Sequence, residues 1–181
     1  RQPPPQGGTF HVEKLANLVN KYNCIVFADE IYFNIIHEKK INSISKYVPH
    51  LTIKGTSVSK DLACGGYRLG WITFPKELKE LFKICKSNAS SIYSSANTPI
   101  QYATNCIYVK KEYLFQYFKN INFIFKKVAD VTAKILNESN ILYHKTEAAW
   151  YVFINLKNYK DKLMKININN SKQLANYLIN K

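Results

Sequence analysis

The chain has 181 residues, enough to bury the core of one domain or to hold parts of two. Its 46% hydrophobic and 14% aromatic content is typical of a packed globular protein and excludes wholesale disorder. No apolar run approaches the ~20 residues that a membrane helix needs. The first residues show no charged start followed by an apolar segment, so the sequence predicts neither a membrane span nor a secretory signal.

The net charge of +14 comes almost entirely from lysines scattered along the chain. Of 26 basic residues only Arg1 and Arg68 are arginines. A nucleic-acid surface would more often cluster its charge and use arginine for phosphate and guanine, so we expect no nucleic-acid partner. The four cysteines form no CxxC pair and no cluster with the four histidines, which predicts no metal site and a reduced, cytoplasmic protein.

The first half of the chain alternates helix and strand signals. Residues 1–8, RQPPPQGG, exclude regular structure because prolines remove backbone donors and glycines free the backbone. Apolar residues at helical spacing predict a helix over 10–22. The continuous apolar run at 24–28 is typical of a strand covered on both faces, and two further strands are predicted at 51–57 and 69–74.

The second half is mainly helical. Pro75 followed by KELKELFKICK predicts an amphipathic helix, and another is expected to begin near Pro99. Aromatic residues at helical spacing over 110–137 predict one or two long helices with those aromatics in the core. Two strands at 141–144 and 150–155 and a final helix at 171–180 follow. This alternation predicts an α/β fold, with a domain boundary near residue 115.

Polar and charged residues follow predicted strands at three points, where α/β folds place their ligands. Asp29, Glu30 and Tyr32 come directly after the first buried strand. Ser57, Ser59 and Lys60 come directly after the second. Eight residues beyond the lysine, after two glycines, stands Arg68, an arginine in a chain that otherwise uses lysine. Each signal alone is common by chance, and it is their order and spacing that carries information.

In that order the segments ADEIY and TSVSKDLACGGYRLGW resemble the class I and II aminotransferases, which are fold-type I pyridoxal phosphate enzymes. The segments SSIYSSANTPIQYAT and EAAWYVFINLKNY are similar to later parts of the same family. The resemblance implies the C-terminal portion of an α/β/α large domain that binds the cofactor, over 1–115. It also implies the start of a smaller α+β C-terminal domain, over 116–181, which includes a long connecting helix. It also implies a homodimer whose subunits share residues at the active site.

The resemblance assigns a chemical role to three residues. Lys60 would bind pyridoxal phosphate as a Schiff base and, once released, move a proton at the substrate carbon. Asp29 would keep the pyridine nitrogen protonated, so that the ring withdraws electrons. Tyr32 would donate a hydrogen bond to the cofactor 3′-oxygen. From the residues alone, Asp29 could instead be a strand-end carboxylate in water, although Glu30 fits that description better because adjacent strand residues point to opposite faces.

The cofactor phosphate needs donors and positive charge. Ser57 and Ser59 would supply hydroxyl groups, and the guanidinium of Arg68 would bind two phosphate oxygens. The two glycines before Arg68 would let the backbone turn back toward Ser57. Cys64 is interpreted as a small, buried thiol and not as a nucleophile.

The chain also departs from the family pattern. The family's asparagine beside the cofactor is expected just before Gly8, where the sequence reads Pro-Pro-Gln-Gly, and no arginine follows Arg68 to bind a substrate carboxylate. We therefore expect a fragment of an aminotransferase that acts on an amino acid and a 2-oxo acid. Two alternatives stay open: a carbon–sulfur lyase or other eliminating enzyme on the same scaffold, and a catalytically inactive interaction module.

Overall fold

The computed structural model describes residues 12–38 and 42–181. The stretch 1–8, including the position of the missing asparagine, lies outside the described residues. The chain divides into two compact units: the first runs through Lys126 and includes Glu147–Ala149, and the second takes 127–146 and 150–181. The boundary near residue 115 stays a prediction.

The helices are α1 Val12–Tyr22, α2 Val58–Asp61, α3 Lys79–Tyr93, α4 Thr98–Val109, α5 Lys111–Glu138, α6 Lys160–Met164 and α7 Ser171–Ile179. The strands are β1 Val26–Asp29, β2 Thr52–Ser57, β3 Gly70–Thr73, β4 Leu142–His144 and β5 Phe153–Asn155. All of the strands and longer helices predicted from the sequence are present within a few residues of their expected bounds. The short helices α2 and α6 were not predicted.

The first unit is built on a three-stranded sheet in the order β1-β2-β3. β1 and β2 are parallel, with Val26 opposite Thr52 and Asp29 opposite Gly55. β3 is antiparallel to β2, with Ser57 opposite Gly70. Because β1 and β2 run in the same direction, both end at the same edge of the sheet, and the polar segments that follow them start from that edge.

Helix α1 covers one face of this sheet. Its buried residues Ala16 and Val19 form a core with Val48 and neighbouring apolar residues, and Val26 and Ala28 of β1 pack against that core. The helix ends where Asn23 adopts a left-handed conformation at φ 49°. This turn lets the amide of Cys24 donate to the carbonyl of Val19 at 3.1 Å, a C-terminal capping arrangement that directs the chain into β1.

Three expectations about burial are wrong, and the first is that Cys64 is a buried thiol, since this residue is only half-buried. The sequence predicted β1 to be covered on both faces, but Phe27 is 59% exposed because the face that it occupies borders an open cleft. The aromatics of α5 were expected in the core, but Tyr113, Phe115 and Phe123 are 77%, 70% and 63% exposed. Helical spacing identifies the apolar stripe of a helix and does not show what covers it.

The second unit contains the last turns of α5, the antiparallel pair β4–β5, and helices α6 and α7. β4 and β5 pair from Leu142 opposite Asn155 to His144 opposite Phe153. Helix α7 is capped at its N-terminus by Asn170, whose side chain accepts a hydrogen bond from the amide of Gln173, while the Gln173 side chain accepts one from the amide of Asn169. This reciprocal pair satisfies amides that helix formation leaves without a partner.

Among residues 12–38 and 42–181, no helix has the length and apolar character that crossing a membrane requires.

Candidate active site

An open cleft of about 550 Å³ lies along the sheet face opposite α1. Phe27 and Asp29 line it, and on a strand they alternate with Val26 and Ala28, which pack toward α1. The other side of the cleft is formed by residues of α3 such as Phe82 and by aromatic and aliphatic residues of β3. Its volume is in the range of small-molecule binding sites, and its apolar walls with few polar groups are typical of them.

Asp29 and Ser57 both line this cleft, one at the end of each parallel strand. The Asp29 carboxylate accepts a hydrogen bond from the amide of Ile31 at 3.3 Å, which orients the carboxylate at the turn after β1. Glu30 is not among the residues that line the cleft, and its amide continues the strand pairing by donating to Gly55 at 2.8 Å. The strand geometry therefore distinguishes the two adjacent carboxylates.

Lys60 lies on the short helix α2, which begins immediately after β2. The Ser57 hydroxyl oxygen caps this helix by accepting a hydrogen bond from the amide of Ser59 at 3.1 Å. The ammonium nitrogen of Lys60 lies 6.0 Å from the centre of the Tyr32 ring, within reach of a cation–π contact. The structure thus brings Lys60 and Tyr32 together, but neither residue lines the cleft that holds Asp29 and Ser57.

Arg68 stands where the chain returns toward β2. The amide of Val58 donates to the carbonyl of Leu69 at 3.2 Å, so Arg68 is one residue away from a direct backbone contact with α2. Its backbone is left-handed at φ 55°, and its guanidinium donates to the carbonyl of Gly65 at 2.9 Å. A left-handed conformation is unfavourable for a residue other than glycine, and such strain is frequent at functional sites.

The structure adds a residue that the sequence did not single out. Asp61, next to Lys60, is 2% exposed, and its carboxylate accepts a hydrogen bond from the Asn34 side chain at 2.7 Å. Burial raises the pKa of Asp61, and the hydrogen bond from Asn34 opposes that rise. Burial, followed by the negative charge of Asp61, raises the pKa of Tyr108 to about 12. A contact between positions 27 residues apart leaves no local signal in the sequence.

The residues fit the cofactor that the sequence suggested. A carboxylate and a hydroxyl group line one cleft, an amine lies one helical turn beyond that hydroxyl, and the walls of the cleft are apolar. This set matches a phosphorylated pyridine, which needs an acceptor at its nitrogen, donors at its phosphate and apolar contacts at its ring.

Comparisons with known proteins agree with this picture. Residues 5–181 match the family model described as aminotransferase class I and II. The chain is 26% identical over 160 residues to a probable N-acetyl-LL-diaminopimelate aminotransferase of Bacillus subtilis (strain 168). This match covers 86% of this chain and 39% of the relative. It is 32% identical over 106 residues to the glutamate-pyruvate aminotransferase AlaA of Escherichia coli (strain K12), covering 55% of this chain and 26% of that protein.

Solved structures show the same fold. The aspartate aminotransferase of Thermus thermophilus with maleate superposes with a TM-score of 0.76 at 22% identity, covering 85% of this chain and 41% of that one. The aromatic aminotransferase of Pyrococcus horikoshii OT3 gives a TM-score of 0.69 at 25% identity, covering 85% and 43%. The α/β fold predicted from the sequence is confirmed. The chain spans about two fifths of the length of the first of these curated relatives.

Proposed function

Because the chain belongs to the class I and II aminotransferase family, we propose that it carries the cofactor-anchoring side of a pyridoxal phosphate site, with Lys60 as the amine to which the cofactor attaches. The whole protein would transfer an amino group from an amino acid to a 2-oxo acid, as a homodimer. The observation that supports this most is the arrangement at the sheet edge. Two parallel strands end side by side with Asp29 and Ser57 on one cleft, and Lys60 follows on the helix that Ser57 caps.

When bound, pyridoxal phosphate supplies an electrophilic carbon and a ring that stabilises negative charge at the substrate carbon. Asp29 would hold a proton on the nitrogen that faces it, because a nearby carboxylate favours the cationic form of a base. Its hydrogen bond from the Ile31 amide keeps the carboxylate oriented for this task. Phe27, on the same wall of the cleft, would exclude water from the face of the ring.

Lys60 would serve as nucleophile and then as proton carrier, with its nitrogen as the acting atom in both roles. Tyr32 lies against that nitrogen, at 6.0 Å from ring centre to Nζ, and would both position the amine and offer its phenol hydrogen as a donor. The phosphate would be bound by the hydroxyl groups of Ser57 and Ser59 and by the guanidinium of Arg68. For this last contact the guanidinium would exchange its hydrogen bond to Gly65 for a stronger, charge-assisted one.

Reduction with borohydride in the presence of pyridoxal phosphate, followed by peptide mapping, tests the assignment. We expect a pyridoxyl label on the Lys60 peptide. The Lys60→Ala variant should lose the label and several orders of magnitude in turnover, since nucleophile and proton carrier disappear together.

The matched control is Lys86→Ala, because Lys86, unlike Lys60, lines the cleft and could react with the cofactor non-specifically. This variant should keep the label on the Lys60 peptide. A label on the Lys86 peptide, or no label on any lysine, would refute Lys60 as the attachment site.

A further inference from the structure

Asp61 is a buried carboxylate with one oxygen in use. Only 2% of the residue is exposed, and Oδ2 accepts the hydrogen bond from Asn34 at 2.7 Å. Oδ1 is buried and has no hydrogen-bond partner among the residues that the structure describes. The backbone amides of Asp61 and Leu62 also favour the charged carboxylate by lowering its pKa, but Asn34 is the side chain that donates to it. A buried carboxylate with one orphaned oxygen is costly, and a site that retains one calls for an explanation beyond packing.

Two consecutive residues of α2 meet two residues of the segment that follows β1. The Lys60 ammonium lies over the Tyr32 ring at 6.0 Å, and the Asp61 carboxylate holds the Asn34 side chain. Between these contacts the segment folds in tight turns, with the Phe33 amide donating to Glu30 at 2.9 Å and the Ile35 amide donating to Tyr32 at 2.9 Å. A displacement of Asn34 would therefore be transmitted to Tyr32, two residues before it.

Asn34 is also held from its other side. Its backbone carbonyl accepts a hydrogen bond from the Asn122 side chain at 3.0 Å, and the Asn122 side-chain oxygen accepts one from the amide of Ile36 at 3.1 Å. The segment is thus fixed between α2, through Asp61, and α5, through Asn122. Ile35, which lies between the two attachment points, is fully buried.

The negative charge of Asp61 also acts on two tyrosines. Burial, and then the charge of Asp61, raises the pKa of Tyr108 to about 12, so this phenol stays neutral. Burial also raises the pKa of Tyr117, with smaller contributions from the charges of Cys64 and Asp61. A hydrogen bond to a carboxylate in such a place is stronger than one at the surface, because water does not compete for it.

We propose that Asp61 is a positioning residue for Lys60: through Asn34 it fixes the segment that carries Tyr32, and so sets where the lysine nitrogen stands relative to Tyr32 and to the strand end with Asp29. The inference rests on the proposed function, because it concerns the geometry of the same amine. It adds a residue pair, Asp61 and Asn34, that touches neither cofactor nor substrate.

A mutant cycle in the full-length protein, loaded with pyridoxal phosphate, tests the proposal. The variants are Asp61→Ala, Asn34→Ala and the double variant, together with Asp61→Asn, which keeps an oxygen that can accept from Asn34. Asp161→Asn, at an exposed carboxylate on α6, is the control for loss of a negative charge. Three quantities are measured: the single-turnover rate with an amino acid, the midpoint of the pH titration of the visible cofactor band, and the fraction of borohydride label on Lys60.

We expect each alanine variant to lower the single-turnover rate by about tenfold and to shift the pH midpoint of the band, while the label stays on Lys60. The double variant should be no slower than the slower single variant, since both remove one hydrogen bond. Asp61→Asn should recover most of the rate, and Asp161→Asn should equal wild type. If Asp61→Ala does not fold, Asn34→Ala removes the same bond from the less buried side and decides the question.

Alanine variants that melt at lower temperature but keep the wild-type rate and band midpoint would show that Asp61 serves stability alone, and would overturn the inference while leaving the proposed function intact. Additive effects in the double variant would likewise overturn it. A wild-type protein that takes no label on Lys60 would refute the proposed function itself, and the inference with it.

Discussion

Replacing Gly70 by alanine should destabilise the protein through a contact that can be read from the backbone. Gly70 lies opposite Ser57 at the end of the antiparallel pair β2–β3. A Cβ at this position would lie 3.0 Å from the carbonyl oxygen of Thr56 and 3.1 Å from the Cβ of Ser57. The first atom is part of the β2 backbone and the second is bonded directly to it, so neither can move without displacing β2.

The size of the effect follows from two opposing terms. Overpacking of this kind costs about 1–3 kcal/mol. Replacing glycine by alanine where the conformation allows it returns about 0.4–1 kcal/mol, because the unfolded chain loses freedom. Gly66→Ala isolates the second term, since a Cβ there would have no neighbour within 4 Å. The free energy of unfolding should therefore differ between the two variants by about 1–3 kcal/mol, with Gly70→Ala the less stable.

Urea unfolding of the full-length protein measures this difference directly, and thermal unfolding should show about 2–4 °C per kcal/mol for a domain of this size. Gly70→Ala should also weaken pyridoxal phosphate binding, because the residue it pushes is Ser57. Gly55→Ala is an intermediate case, since its nearest contact, at 2.9 Å, is the ring of Phe27, which is exposed and can turn away. Equal unfolding midpoints for Gly66→Ala and Gly70→Ala would refute the steric argument.

Three further changes have defined outcomes. Asp29→Asn should leave the cofactor bound but slow the single-turnover rate by roughly 10–100-fold, which is the effect expected from the loss of one charged hydrogen bond. Glu30→Gln should leave this rate unchanged. Equal rates for Asp29→Asn and wild type would show that Asp29 is only a carboxylate at the end of a strand. Burial raises the pKa of Asp61, so the folded state binds its proton more tightly than the unfolded state. Stability should then fall as pH rises from the ordinary value near 3.8 through the raised value, and Asp61→Asn should lack this fall in urea titrations at several pH values. Ala149 has a left-handed backbone at φ 53°, so Ala149→Gly should have a higher thermal midpoint than Ala148→Gly. The backbone of Ala148 has no such strain, and Ala148→Gly should lose about 0.5–1 kcal/mol of free energy of unfolding. The reverse order of the two midpoints would contradict the strain argument.

The parts of the fold that follow from short-range patterns could be predicted from the sequence. Strand β1 lies in a short apolar run that ends at Asp29, and the end of β2 places Ser57, where the helix that carries Lys60 begins. Parallel strands that end at one edge are enough to place Asp29 near Ser57 without knowledge of any side-chain contact. These features are local, and hydrophobic spacing records them.

What the sequence did not predict depends on contacts between distant positions. The hydrogen bond between Asp61 and Asn34 joins residues 27 apart, and neither residue type nor spacing marks them as a pair. The exposure of Phe27 depends on what covers the cleft face of the sheet, and the apolar run around it carries no such information. The left-handed backbone of Arg68 is likewise imposed by the return of the chain to β2, because arginine itself has no preference for that conformation.

The hydroxyl group of Ser57 has one consequence beyond its place at the cleft. Its oxygen accepts from the Ser59 amide and so helps to hold α2 together, while its own hydrogen and second lone pair remain for other partners. When that hydrogen is donated to an anion in the cleft, the oxygen becomes a better acceptor, because linked hydrogen bonds polarise one another. Ligand affinity and the local folding of the helix that carries Lys60 are therefore thermodynamically linked. A gain in affinity that passes through Ser57 should therefore reappear as a smaller equilibrium fraction of the opened helix, so a change at Ser57 alters both properties together.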